Sequence, residues 1–362
     1  MLSFKKYIAP ALLALLSCNE PEDALVKNFE TVSGSFSSGV YILNEGNFDW
    51  GTGSVSFFNP KKTYRENDGF LHSESKVFEQ INKSEIGNVV QSMTVFNGKG
   101  YIVVNNSESV KVVQPETMKW LGTIKMPEGS PRHLLPIHSG KAYLTELYKN
   151  CIYVIDLKKN EISKKIPVSG WTDKLLLFEN HAYITKRRST FDKRKGGGMM
   201  LKIDTRTDEV VDSVSLPKGP CSLQIDQMRK LWVLCDGGFK DTPALVRINP
   251  YTMKTEKKLL FENQAGLAPS DLEINASKDT LYFLNGGVSR HPIHADKLSG
   301  NFIPRKRMFY GLDIHPKTGE LYVADALDFM QRGVAYRFSK KGKPLDSMRV
   351  GVIPCQFVFM EQ

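Results

Sequence analysis

The stretch KAYLTELYKNCIYVIDLKKNEISKKIPV, Lys141 to Val168, decides the fold. AYLT and CIYVID are short runs of aromatic and β-branched residues, and the Asp156 to Glu161 turn leads CIYVID into a third run, EISKKIPV. Such runs bounded by turn residues read as strands. The first phrase, a small or apolar residue, an aromatic and two mostly apolar residues, recurs through the chain. It stands as VYIL at Tyr41, GYIV at Tyr101, AYLT at Tyr143, AYIT at Tyr183, LWVL at Trp232, LYFL at Tyr282 and LYVA at Tyr322. The intervals between successive aromatics are 60, 42, 40, 49, 50 and 40 residues, close to the length of a four-stranded propeller blade. No helix-period segment of useful length competes with this pattern.

A lone four-stranded sheet cannot bury both faces, so such units stack and close into a ring. The expectation is an all-β, seven-bladed propeller with four-stranded antiparallel blades, six or eight blades being the neighbouring alternatives. VYILNEG has no hairpin partner before it, and CQFVFME at the C-terminus supplies the missing first strand, so the chain ends share one blade. Blade limits fall at 39–90 with 355–361, then 91–129, 130–169, 170–218, 219–268, 269–308 and 309–354. The excess in the first interval maps to Lys61–Glu85, a lid or simply a long loop.

Ahead of the repeats, Lys5 and Lys6 precede an apolar run from Tyr7 to Ser17, the layout of a secretory signal over residues 1–17. The run is too short to span a bilayer. Leu15-Leu16-Ser17-Cys18 resembles a bacterial lipobox, which makes Cys18 a lipid attachment point and the membrane a partner through that anchor. Multiple acyl chains give stable anchoring without a spanning helix. Glu20, Glu22 and Asp23 are similar to the acidic export tag of surface lipoproteins in Bacteroidetes, which places the protein on the outer membrane, facing outward or toward the periplasm. Residues 18–38 read as a flexible tether and 39–362 as the propeller.

The chain carries a formal charge of +10, but its basic residues are scattered through turns and no nucleic-acid module is visible. Attraction to an anionic surface or ligand accounts for the charge more simply. The four remaining cysteines match no zinc spacing. In a hairpin centred on Met228, Cys221 and Cys235 lie opposite one another, as a disulfide or as two neighbouring buried thiols.

In a propeller the first strand of a blade starts, and the second ends, at the same mouth of the central channel. Residues after each aromatic phrase therefore ring one face: Asn44 and Glu45, Asn105 and Asn106, Glu146, Lys186, Asp236, Asn285 and Asp325. First-strand beginnings add Arg132 and His133, Trp171 and Asp173, Asp271 and Tyr310. Adjoining loops add Phe48 and Trp50 in EGNFDWGTGS, Tyr148, and Phe239 in DGGFKDT. An amide-bearing ring fringed with aromatics suits a large ligand with flat faces and hydrogen-bonding groups. Asn and Asp are also common at strand ends for turn chemistry alone.

Catalytic signatures are weak. No G-x-S-x-G occurs, and KRKGGGMM lacks the G-K-[ST] of a phosphate loop. His291 and His294 in SRHPIHADK read as a surface turn or a metal pair. Glu45, Asn105, Asn285 and Asp325 offer oxygen ligands for a central calcium, the alternative of a calcium-dependent hydrolase or lyase. An adhesion or scaffold role is the third reading, and no cofactor is otherwise called for.

GVYILNEGNFDWGTGSVSFFNP, FYGLDIHPKTGELYVADALDFMQRGVAYRF and GVIPCQFVF resemble the YncE-like propeller lipoproteins of Bacteroidetes, a group that includes the corrinoid-capturing BtuG proteins. The resemblance implies a non-enzymatic surface protein that captures a ligand, a vitamin B12-like corrinoid (cobalamin) among the candidates. It also implies transfer to a TonB-dependent outer-membrane transporter. No corrinoid-contacting residue transfers position by position.

Overall fold

The computed structural model describes residues 35–187, 198–238, 241–261, 268–304, 307 and 309–360. Its strands form seven antiparallel sheets, six of four strands and one of three, with almost no helix. The sheets follow the expected blades: Val90–Lys125, Pro131–Pro167, Trp171–Leu216, Pro220–Leu260, Ser270–Ile303 and Phe309–Val352 are blades 2 to 7. In blade 1, Pro354–Met360 pairs with Gly39–Asn44, which pairs with Ser54–Phe58, so the C-terminal strand closes the ring. Phe357 is buried there, and Phe359 packs edge-on against Tyr322 of blade 7.

The repeated aromatic can fasten one blade to the next. Tyr41 Oη donates to Pro115 O in the last turn of blade 2 at 2.6 Å, and Tyr183 Oη to Pro250 O in the corresponding turn of blade 5 at 2.9 Å. Tyr143 Oη reaches the Asp208 carboxylate in the same turn of blade 4. Each ring is buried between sheets while its hydroxyl finds an acceptor, which is what a buried tyrosine requires. Three of the seven repeated aromatics make this pin, whereas Trp232 Nε1 donates to Asp226 within its own blade at 2.8 Å; what all seven share is burial.

The insert after blade 1 is not a lid. Glu74 exchanges two backbone hydrogen bonds of 2.8 Å with Phe57, standing where the fourth strand of blade 1 would be, and Leu71 N donates to Ser347 O on the outer strand of blade 7. Helix α1, Val77–Asn82, buries Val77 and Phe78, and Asn82 bonds Met118 O and Trp120 N at the outer edge of blade 2. The insert is thus a strap across the perimeter of blades 7, 1 and 2. Burying those two side chains contributes roughly 1.5–3 kcal/mol each.

Two further expectations change. His291 lies in neither a surface turn nor a metal pair; it is fully buried on the third strand of blade 6, edge-on to Trp232 at 5.5 Å, while His294 is exposed. Cys221 and Cys235 are both free thiols. Pro220, not Cys221, stands opposite Cys235, because one extra residue enters the first strand before Ser222 meets Leu234.

Candidate functional site

That extra residue is repeated around the ring. All seven first strands slip by one residue against their second strands near the channel mouth: at Gln91, Arg132–His133, Asp173–Lys174, Cys221, Asp271–Leu272, Tyr310 and Cys355. A one-residue bulge bends the strand and re-aims its side chain. Apart from Leu272, every one of these residues lines the same axial cavity of about 420 Å³. Glu45, Arg187, Ser270, Glu273, Phe309, Asp313 and Gln356 complete most of its wall.

On the side of blades 3 and 4 the charges are matched. Asp173 is almost wholly buried; Arg132 Nε lies 3.2 Å from its Oδ1, His133 Nε2 3.4 Å from Oδ1, and Arg187 3.8 Å from Oδ2. Burial works to raise the Asp173 pKa, but Arg132 and His133 outweigh it and hold the carboxyl well below the usual range. Burial, with Lys174 nearby, lowers His133 to about 4, so it is neutral at pH 7. Arg187 also engages Asp236, whose carboxylate accepts from Gly238 N at 2.8 Å. The Asp236 carboxylate packs over Gly219, at φ +68°, where any Cβ would collide with it.

On the side of blades 6 and 7 the charges are unmatched. Burial raises Asp271 to about 6, and Asp173 adds to the effect. Glu273 and Asp313 are pushed upward by burial, with Asp313 repelling Glu273 and Asp271 repelling Asp313. Asp313 accepts Phe357 N at 2.7 Å, and Glu273 accepts Gln224 Nε2 at 3.3 Å. Between the two sides, Glu45 accepts from Tyr310 Oη at 3.1 Å; burial raises its pKa against the pull of Arg132.

The residues expected at the rim divide accordingly. Glu45, Arg132, Asp271 and Tyr310 reach the cavity. Asn44 instead bonds Ile42 O, Ser54 and Ser56 inside blade 1 and accepts from Gly351 N. Asn105 holds Ser130 and Pro131 O, Glu146 accepts Ser130 N and Tyr148 N, and Asp325 accepts Leu327 N, all of them buried turn fixtures. Lys186 bonds Ser169 Oγ. Asn285 lines a separate cavity of about 520 Å³ beside Phe261 and Asp296. Glu45, Asn105, Asn285 and Asp325 therefore do not meet at a common cation, since two are engaged inside blades and one faces another cavity. Among the described residues no three His, Cys, Asp or Glu side chains are placed to hold a metal ion.

The aromatic fringe is exposed: Trp50 is 91% accessible, Phe48 61% and Tyr148 59%. Tyr148 meets Trp171 edge-on at 5.7 Å. The Trp50 loop is clamped: Asn88 Nδ2 donates to Asn47 O at 2.9 Å and also to Gly51 O, and Asn106 Nδ2 donates to Asp49 Oδ1 at 2.7 Å. Asn47 Nδ2 reaches Phe329 O, whose ring lies 5.5 Å from Tyr310. Phe239 and Cys18 lie outside the described residues. No described helix is long and apolar enough to cross a membrane.

Fold and mouth together define a seven-bladed β-propeller with a charged axial chamber under an aromatic fringe. Residues 38–350 match the domain of unknown function DUF5074, and the chain belongs to that family. No curated protein matches. Among solved structures, a quinonprotein alcohol dehydrogenase-like protein of Bacteroides thetaiotaomicron is similar, with a TM-score of 0.66 at 15% identity over 90% of this chain and 79% of that one. A candidate 6-phosphogluconolactonase of Bacteroides uniformis gives 0.65 at 11% identity over 89% and 99%. Streptogramin B lyase gives 0.54 at 15% over 71% and 82%. These likenesses, at 11–15% identity, show a shared propeller fold.

Proposed function

We propose that this chain is a surface lipoprotein, acylated at Cys18, that captures a ligand at the propeller mouth and presents it to an outer-membrane TonB-dependent transporter. The observation that carries the reading is Trp50, an almost fully exposed indole on a loop held by Asn88 and Asn106 beside a charged chamber. A rigid, solvent-facing aromatic loses little entropy on binding and offers a large contact face. The ligand has a flat or apolar face for Trp50 and Phe48 and polar edges for Glu45, Arg132 and Tyr310. A corrinoid, a broad macrocycle edged with amides, has that chemistry, and the resemblance to corrinoid-capturing propellers supports it.

The test is calorimetric titration of residues 19–362 with cobalamin, wild type against Trp50→Ala. Binding that weakens by about 2 kcal/mol in the variant, with unchanged thermal stability, supports the reading. Equal affinity removes the rim as the site, and no binding by the wild type removes corrinoids as the ligand. The lactonase and lyase names among the structural relatives supply an enzymatic reading, for which neutral His133, beside Asp173 in the chamber wall, is a candidate general base. Lactone hydrolysis abolished by His133→Gln would replace capture with catalysis.

A further inference from the structure

Below the rim the chamber has an imbalance that the fringe does not explain. Asp271, Glu273 and Asp313 come from the first strands of two neighbouring blades, and no described lysine or arginine lies within 4.0 Å of any of them. The Lys174 ammonium faces the same cavity, also without a described ion-pair or hydrogen-bond partner, and its field reaches all three carboxylates. Arg132 and Arg187 are already engaged by Asp173 and Asp236, and His133 is neutral. Three carboxylates thus share one ammonium across an open space. These carboxylates are partly buried, and charge left uncompensated there is costly, so a bound counter-charge relieves it.

We propose that the axial chamber is a binding subsite for one small organic cation, an ammonium or guanidinium group, seated between Asp271, Glu273 and Asp313. The subsite uses other walls of the chamber whose Glu45, Arg132 and Tyr310 the rim reading assigns, and its test does not require the rim ligand. A bare metal ion fits it poorly, because hard cations need several oxygens converging within about 2.6 Å, and the three carboxylates are not so placed. A guanidinium or ammonium on a short chain spans wider gaps and donates to each oxygen separately. At about 420 Å³ the chamber is near the lower end of the roughly 300–1,000 Å³ range of small-molecule sites.

Binding is linked to protons. Cation uptake favours the ionised carboxylates, whose pKa values are raised by burial and by one another, so uptake releases protons and strengthens as pH rises. The other groups facing them are Glu45, Asp173, Lys174, Arg132, Arg187 and His133, joined by the Cys221 and Cys355 thiols and the Tyr310 phenol. Burial raises the thiols and the phenol, leaving them neutral throughout this range.

Agmatine, calcium chloride and sodium succinate are the probes, titrated by calorimetry into residues 19–362. The expected result is agmatine binding at a Kd of about 1 mM or tighter. It should tighten by about tenfold from pH 5.5 to pH 8, with proton release seen as a buffer-dependent enthalpy, and weaken by at least about tenfold in Glu273→Gln/Asp313→Asn. Lys174→Met should bind agmatine more tightly, a separate readout should the double variant misfold. No agmatine binding, stronger succinate binding, displacement of agmatine by calcium, or agmatine affinity indifferent to both variants would overturn the proposal. Trp50→Ala should leave agmatine binding unchanged, so this subsite and the rim fail or survive independently.

Discussion

On the side of blades 3 and 4 the chamber wall carries Arg132, His133 and Asp173 in mutual contact, whereas on the side of blades 6 and 7 it carries Asp271, Glu273 and Asp313 with no described cation touching them. Both walls are made by the same device, a bulged first strand, so the backbone is not what distinguishes them. Side-chain identity at and just beyond the bulges is. A ring of near-identical modules therefore holds its architecture fixed while the channel-facing residues at the bulge (Arg132, Asp173, Asp271) and past it (Glu273, Asp313) set the local charge. One wall is self-sufficient, and the other is complete only with something bound or a proton taken up.

The largest expected effect breaks the first wall. Asp173→Asn leaves Arg132 facing a neutral amide and weakens the hold on Arg187, in a site where the original carboxylate is 4% exposed. Removing one member of a buried pair costs about 3 kcal/mol, read as a lower urea midpoint at pH 7. The sign with pH follows from the depressed folded-state pKa of Asp173. The wild-type advantage is complete above the ordinary aspartate range and is lost as pH falls toward the lower folded value. An Asp173→Asn protein as stable as wild type at pH 7 would mean the matched wall contributes nothing.

A smaller effect of opposite sign is expected on the second wall. The folded-state pKa of Asp313 is raised by burial and Asp271, so ionising it opposes folding. Wild type therefore loses stability as pH rises through that value. Asp313→Asn keeps an acceptor for Phe357 N and removes the charge. It should be about as stable as wild type at pH 4 and stabilised by about 1–2 kcal/mol at pH 8, after allowance for solvent in the chamber. Thermal melts across that range decide it, and destabilisation at pH 8 would erase the distinction between the walls.

The ring itself was legible because Tyr41, Tyr101, Tyr143, Tyr183, Trp232, Tyr282 and Tyr322 each sit in a second strand buried on both sides, where packing demands the same residue type in every blade. The mouth was legible only where a residue sat next to that phrase, and adjacency does not say which way a side chain turns. Asn44, Asn105 and Glu146 turn inward because blade ends have backbone groups to satisfy. The bulges had a signal of their own: SPRHL, GPCSL, APSDL and IPCQF each place a proline before two non-alternating residues and then return to an apolar core position. Glu273 and Asp313 went unmarked because lone carboxylates alternating with apolar residues read as a solvent face. In a first strand that face is the channel. The strap is a single insertion, and no repeat exists to reveal where it packs.

The smallest expected effect sharpens the boundary between the walls. Glu45 belongs to blade 1, lies within the field of Arg132 on one side, and accepts from Tyr310 of blade 7 on the other. Tyr310→Phe removes that donor while keeping the ring against Phe329. If Glu45 behaves as part of the matched wall, its ionised form relies on the donated hydrogen bond, and the variant loses about 1 kcal/mol at pH 8. At pH 4 the loss should shrink, because a protonated Glu45 needs the donor less. If Tyr310→Phe is neutral at both pH values, Glu45 is held by Arg132 alone. If it is more stabilising than Asp313→Asn at pH 8, Glu45 joins the repelled carboxylates, and the unmatched wall extends through blade 1.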